Sequence, residues 1–231
     1  MQPAESKRDL RSFGRRRGRK LSPRQAALLE RGLPPLAISL SQPSPVELGR
    51  LFAPPVAEVW LEIGFGGAEH LLWQARANPR VGLIGCEPFA DGIVKALGAI
   101  EGANLSNVRI HADDARPLLR WLPVASIART FILFPDPWPK KRHHKRRLVS
   151  QATLAELARV MRRGAELRIA TDVADYARAI LLAVSQQQSF RWTAAGPDDW
   201  RERGIDWPPT RYEQKALLAG RRCSYFRFQR L

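Results

Sequence analysis

Cysteine is scarce in this chain. Its 231 residues contain two, Cys86 inside an apolar run and Cys223 near the C-terminal end, and neither has a partner at metal-ligand or redox spacing. A cysteine-built metal or redox site is therefore not expected, and a reducing compartment fits. Long hydrophobic runs are missing as well: no stretch approaches the roughly twenty apolar residues that a bilayer span requires. The basic stretch Arg15 to Lys20 runs into Leu21-Ser22-Pro23-Arg24 rather than into an apolar segment, unlike a secretory signal peptide. The expectation is a soluble, cytoplasmic protein that does not enter the membrane. Negative charge is also short, with 22 acidic residues against 38 basic ones and a formal net charge of +16. Such an excess repels itself unless a polyanion or ample counterions are near, so nucleic acid is the first partner to consider and a membrane surface the second.

What is present is enough for one full core, with 45% hydrophobic residues. Residues 1–55 are rich in Arg, Pro and Ser, with one helix expected from Pro23 to Arg31 and prolines at 34, 35, 43, 45, 54 and 55, and they read as a basic, Pro-rich N-terminal arm. From Val56 to Leu231 the pattern is that of a folded domain. Short apolar runs at Glu58–Ile63, Val81–Cys86, Val108–His111, Thr130–Phe134 and Leu167–Ala170 read as buried strands. Helical patterns at Ala68–Ala77, Phe89–Gly102, Arg146–Arg162 and Ala174–Gln187 fill the intervals. Repeated strand-then-helix order requires crossover connections, hence a parallel sheet covered on both faces: a doubly wound α/β fold. Ser189–Ala194 and Cys223–Gln229 read as further strands around a Pro- and Trp-containing loop that ends near Pro209.

Leu61-Glu62-Ile63-Gly64-Phe65-Gly66-Gly67 leaves the first strand and enters a helix, so Gly64 and Gly66 let the backbone turn tightly against a ligand. The dinucleotide pattern would place a third glycine at position 69, which is Glu69. Glu62 would repel a pyrophosphate but suits S-adenosylmethionine, which carries an ammonium and a sulfonium and no phosphate. Glu87 ends the second strand, where such folds set an acid against ribose hydroxyls. Asp113-Asp114 closes the third strand, and Asp114, just ahead of the next helix, is the better candidate to accept from an adenine amino group. Each acid taken singly reads equally well as a helix cap or a solvated carboxylate. Together they recur at three consecutive strand ends, where open α/β sheets bind ligands.

The fourth strand runs directly into Pro135-Asp136-Pro137-Trp138-Pro139. Prolines on both sides of Asp136 stiffen the backbone and remove amide donors, so the carboxylate must find another partner, and a base edge is one. Trp138 offers a face for stacking on a base. The run Lys140-Lys141-Arg142-His143-His144-Lys145-Arg146-Arg147 begins at the mouth of this candidate site, which suits phosphate contact. A metal site at His143 and His144 is rejected, because six surrounding cations oppose a divalent ion and no carboxylate or cysteine completes a ligand set.

These residues carry a specific resemblance. Through Arg11-Ser12-Phe13, the Leu61–Gly66 loop, Phe134-Pro135-Asp136-Pro137-Trp138, His144-Lys145-Arg146-Arg147, Ala170-Thr171-Asp172 and Thr210-Arg211-Tyr212-Glu213, the chain resembles the tRNA (guanine-N(7)-)-methyltransferase family. The resemblance implies a Rossmann-like class I methyltransferase sheet, mostly parallel with an antiparallel C-terminal strand. It implies methyl transfer from S-adenosylmethionine to nitrogen 7 of a guanine in the tRNA variable loop, at position 46 in tRNA numbering. By matching positions, Glu62, Gly64, Gly66, Glu87, Asp114 and Asp136 would contact the donor, with Asp136 also catalytic, while Lys140, Asp172, Thr210, Arg211, Tyr212 and Glu213 would contact substrate. Gly67-Ala68-Glu69-His70 and Pro139 depart from the family's usual residues.

Nitrogen 7 of guanine already has an in-plane lone pair, so alignment and charge compensation are needed more than a general base. Asp136 is expected to position the base and offset its developing positive charge, with Asp172 or Glu213 holding the amino or imino edge. Lys140, Arg142, Lys145, Arg146 and Arg147, with Arg15 to Lys20 of the arm, are expected to grip tRNA phosphates. Rival readings are an NAD-dependent oxidoreductase, a non-catalytic RNA-binding module, and a methyltransferase acting on another RNA base or an exocyclic amine.

Overall fold

The computed structural model describes residues 20–231. Five strands lie parallel: β1 (Glu58–Ile63), β2 (Val81–Cys86), β3 (Val108–His111), β4 (Ile127–Leu133) and β5 (Met161–Thr171). Two more, β6 (Phe190–Trp192) and β7 (Ser224–Arg230), complete a seven-stranded sheet of order β3-β2-β1-β4-β5-β7-β6, in which β7 runs antiparallel to both neighbours. The helices are α1 (Pro23–Gly32), α2 (Glu69–Ala77), α3 (Ala90–Ala103), α4 (Ala115–Trp121), α5 (Gln151–Val160), α6 (Ala174–Gln186), α7 (Asp198–Arg201) and α8 (Arg211–Leu218). The sheet is mixed and mostly parallel, as expected. Strand order reverses between β1 and β4, which opens a crevice at their C-terminal ends.

Successive side chains of a strand face opposite sides, and the core divides accordingly. On one face Leu61, Ile63, Ile132, Ile169 and Phe228 pack with Leu118, Leu154 and Ile180 of α4, α5 and α6. On the other, Trp60, Phe131 and Ile110 pack with Leu71, Ile93 and Leu97 of α2 and α3. Glu62 shares a face with Trp60 and is thereby directed under α2, a consequence of period two that decides its fate below.

Three expected elements come out differently. The helix expected over Arg146–Arg162 is shorter: residues Lys141–Arg146 form a 3-10 helix, and α5 starts at Gln151 because the Ser150 hydroxyl caps it by accepting from the Thr153 amide. At its other end Met161 is extended and β5 begins, well ahead of the strand expected from Leu167. The extra length carries an irregularity, with Ile127 opposite Met161 but Arg129 opposite Glu166, and Gly164 in that interval at φ +80°. The stretch from Thr210, for which the sequence pattern alone gives no helix, opens α8 through a capping box, Thr210 accepting from the Glu213 amide and Glu213 from the Thr210 amide.

Residues 20–55 do not project as an arm. Ile38 donates its amide to the Ile110 carbonyl at 2.9 Å, extending the sheet edge. Phe52 is 3% exposed and lies against Gly82, where a Cβ would fall 2.4 Å from its ring. Arg109 Nε donates to the Leu51 carbonyl at 2.7 Å. The prolines punctuate a strap that seals one face of β2 and β3. The Arg11-Ser12-Phe13 element and the basic residues Arg15 to Arg19 lie outside the described residues.

Candidate active site

A cavity of about 650 Å³ opens where the C-terminal ends of β1, β2 and β4 meet. Its wall includes Gly64, Gly66, Glu87, Asp114, Asp136 and Tyr212, gathered from five separate segments of the chain. Gly64 (φ +77°) and Gly66 (φ +53°) make the turn out of β1, a backbone course that L side chains rarely follow. A Cβ on Gly64 would meet nothing within 4 Å, so the glycine borders open space in the cleft. Gly92 has the opposite reason to be glycine: its Cβ would fall 2.3 Å from the Gly66 carbonyl, and α3 can approach the loop only without one.

Glu87 ties the loop together. Its two oxygens accept from the Gly66 and Phe89 amides, both at 2.9 Å. Burial pushes its carboxyl above the usual glutamate range; the two amide bonds oppose that, and the negative charges of Asp136 and Glu62 add to it. Asp114 is both cap and wall: it accepts from the Arg116 amide at 2.9 Å and pairs with the Arg116 guanidinium at 3.1 Å while facing the cavity.

Glu62 is not on the cavity wall. It is 2% exposed, and its carboxylate is bonded to His70 Nδ1 at 2.7 Å. His70 Nε2 lies 3.2 Å from the Gln74 amide nitrogen, which also donates to the Asp206 carbonyl at 3.0 Å. The amide can only donate, so Nε2 accepts and Nδ1 carries the proton given to Glu62. The sequence reading treated His70 only as a departure from a pattern, whereas it is the partner that allows a carboxylate to be buried beneath the glycine loop.

The opposite wall is built from strained backbone. Phe134 (φ +51°) and Trp138 (φ +43°) both occupy the left-handed region, which costs a large L residue about 1–3 kcal/mol each. Between them Asp136 is exposed and has no hydrogen-bond partner among the described residues. The Arg146 guanidinium lies 5.0 Å over the Trp138 ring, and His143 meets that ring edge-on at 5.8 Å, so part of the expected stacking surface is already covered. Lys140, Lys141, Arg142 and Lys145 are exposed beside it.

Arg147 does not belong with those cations. It is 7% exposed, donates from Nε to the Pro137 carbonyl at 2.8 Å, bonds Asp175 through Nη2, and lies 4.8 Å over the Tyr176 ring. A guanidinium so enclosed differs from the exposed cations beside it, and the grip on tRNA expected of it does not follow from its position in the run.

The remaining substrate-side expectations separate in the same way. Asp172 is paired with Arg221 Nε at 2.6 Å and stands off the cavity wall. Arg211 and Tyr212 are exposed, and Tyr212 reaches the cavity, its ring 3.4 Å from where a Cβ on Gly66 would lie. Thr210 and Glu213 are buried in the cap of α8. Glu213 accepts from Thr210, from Arg203 Nε at 2.9 Å and from the Tyr225 hydroxyl at 2.6 Å. At 3% exposure and off the wall of this cavity, it is not placed to hold a base edge in this state. The spacing Thr-x-x-Glu after Pro208-Pro209 was the sequence signal for that cap.

Comparison with known proteins decides the family. Residues 56–225 match the family model described as "Putative methyltransferase". A tRNA (guanine-N(7)-)-methyltransferase of Rhodospirillum rubrum is 47% identical over 231 residues, an alignment covering 99% of this chain and 91% of that one. One from Hyphomonas neptunium is 52% identical over 208 residues, covering 90% and 94%. The chain belongs to the tRNA (guanine-N(7)-)-methyltransferase family. Among solved structures, that of 16S rRNA methyltransferase KamB superposes with a TM-score of 0.58 at 16% identity, covering 82% of this chain and 95% of that one. This likeness shows the class I methyltransferase fold in this family member.

Proposed function

We propose that this methyltransferase moves the methyl group of S-adenosylmethionine onto nitrogen 7 of a guanine in the variable loop of tRNA, leaving 7-methylguanosine. The observation that carries the reading is the position of Asp136: exposed, unpartnered among the described residues, and held by strained backbone between an acid-lined cavity and a run of exposed cations. Relatives about half identical over nearly the whole chain bear the corresponding name.

The cavity fits the donor on its own chemistry. Glu87, Asp114 and Asp136 outnumber Arg116 and Arg146 on its wall, a balance that suits a cationic ligand better than a dinucleotide pyrophosphate. Bound there, S-adenosylmethionine supplies a methyl group activated by its sulfonium. Glu87 keeps the glycine loop in shape and has lone pairs left for ribose hydroxyls; Asp114 faces the cavity as an acceptor for an adenine amino group. Glu62, enclosed with His70, supports the loop from beneath and contributes negative potential. Asp136 aligns the guanine and offsets the positive charge that forms on its ring as nitrogen 7 is alkylated. No proton is removed before attack, so no general base is assigned. Tyr212 and Lys140 border the acceptor side, and Asp172, with Thr210 and Glu213 as the cap of α8, shapes it.

Arg142, Lys145 and Arg146, together with the N-terminal basic residues, are assigned to tRNA phosphates. Among the described residues no helix is long and apolar enough to cross a membrane, and we place the activity in the cytoplasm. Incubation with unmodified tRNA and labelled donor, followed by nucleoside analysis, tests the assignment: label in 7-methylguanosine is expected, and label in another nucleoside, or none, contradicts it.

A further inference from the structure

We infer that Arg147 is a positioning residue that locks the Asp136 loop onto α6, and that it makes no contact with tRNA. The inference rests on the methyl-transfer reading for its kinetic consequences, although the contacts stand without it.

Three observations converge. The segment Pro135-Asp136-Pro137 carries an amide donor only at Asp136, because proline has none, so this loop has little with which to anchor itself through the backbone. Phe134 and Trp138, at its two ends, are both held in the left-handed region, a conformation that persists only where surrounding contacts enforce it. Arg147 supplies such a contact: its Nε donates to the Pro137 carbonyl at 2.8 Å, one residue from Asp136.

The other end of the same guanidinium is anchored elsewhere. Nη2 bonds Asp175, in the first turn of α6, and the group lies over Tyr176, which is 0% exposed and accepts the Val149 amide through its hydroxyl at 3.1 Å. Donation from Arg147 holds the Asp175 carboxyl below the usual aspartate range. Asp172 sits three residues before Asp175, at the end of β5. One planar fork therefore fixes the spacing between the loop bearing Asp136 and the turn bearing Asp172, the two acidic segments on the acceptor side. Lysine could keep the charge but not the fork, since its single nitrogen cannot serve the carbonyl and the carboxylate with the same geometry.

The test uses the full chain and three variants, Arg147→Lys, Arg147→Gln and Asp175→Asn. For both Arg147 variants the expected result is a kcat lower by about 10- to 100-fold, with tRNA affinity and its dependence on salt unchanged. Hydrogen exchange across residues 134–140 should quicken in the same variants while β1 and β2 keep their protection. Asp175→Asn, at an exposed position, keeps the fold if Arg147 variants do not, and is expected to show the same pattern with a smaller loss. If instead tRNA affinity falls, the salt slope drops by about one and exchange is unaltered, Arg147 is a phosphate ligand and the inference is overturned. Unchanged kcat and unchanged exchange overturn it equally. Faster exchange in an enzyme whose wild type makes no 7-methylguanosine keeps the clamp and discards the methyl-transfer reading.

Discussion

The two sides of the cleft are built on opposite plans. On the side proposed to bind the donor, acids are tied down: Glu87 holds two loop amides, Asp114 caps α4, and Glu62 is buried on His70. On the side proposed to admit the base, Asp136 stands exposed with no hydrogen-bond partner among the described residues, and the order lies in the backbone around it, through Phe134, Trp138 and the Arg147 fork. A site that binds a flexible cationic cofactor benefits from acceptors fixed in advance, whereas a site that admits a base from a large folded RNA needs an accessible carboxylate on a rigid mount.

Breaking each side should therefore give different symptoms. The largest effect is expected on the acceptor side. Asp136→Ala should lower kcat by about 100-fold or more, while tRNA affinity by filter binding stays near wild type and donor affinity by calorimetry weakens by much less than kcat. Near-normal turnover would remove Asp136 from the centre of the account. On the donor side the first symptom should be instability. His70→Leu strands a buried carboxylate and should cost about 3 kcal/mol in denaturant unfolding, whereas His70→Asn, whose side-chain amide can stand in for Nδ1–H, should recover most of it. Equal losses in the two would show that the ring's packing against Phe131 and Trp207, not the bond to Glu62, is what matters.

Smaller changes sharpen the boundary between the sides. Neutralising Lys140, Arg142 or Lys145 should each reduce the slope of log affinity for tRNA against log salt by about one and leave donor binding alone. The smallest expected effect is pH dependence at Glu87. Its carboxyl is raised by burial, so it takes up a proton at a higher pH than a free glutamate, and donor affinity should weaken on acidification. Glu87→Gln should flatten that dependence. Fold stability has the opposite sign: a carboxyl raised in the fold contributes below its unfolded value and loses that contribution as pH rises through the folded one. Weakened donor binding in mild acid without loss of fold is the combined signature.

The parallel sheet was legible because each of its first four strands is a short apolar run between breaker residues, and the glycine loop because its turn requires glycine. The Pro-Asp-Pro-Trp segment stood out on sequence grounds alone, and it lines the cavity. Less legible were residues whose role depends on what lies across the fold. Nothing in eight consecutive basic and histidine residues distinguishes Arg147 from Arg142, since burial of one follows from Asp175 and Tyr176 in α6. Glu62 looked like a ligand contact by position, yet strand alternation set it on Trp60's face, beneath α2, and His70 was waiting there. Ser150 was a readable cap that a continuous helical pattern over residues 146–162 obscured. Residues 20–55 read as part of an arm by composition, because strap packing uses isolated anchors such as Ile38, Leu48 and Phe52 rather than a periodic face.

The central claim is that the acidic cleft and the strained loop together methylate nitrogen 7 of a tRNA guanine with Asp136 as the aligning group. Methylation of unmodified tRNA by the wild type and by Asp136→Ala, with the modified nucleotide located by cleavage at 7-methylguanosine, tests it most directly. The account predicts cleavage at the variable-loop guanine with the wild type and little or none with the variant. A methyl group on an exocyclic amine or at another base, or equal cleavage with both proteins, would contradict it.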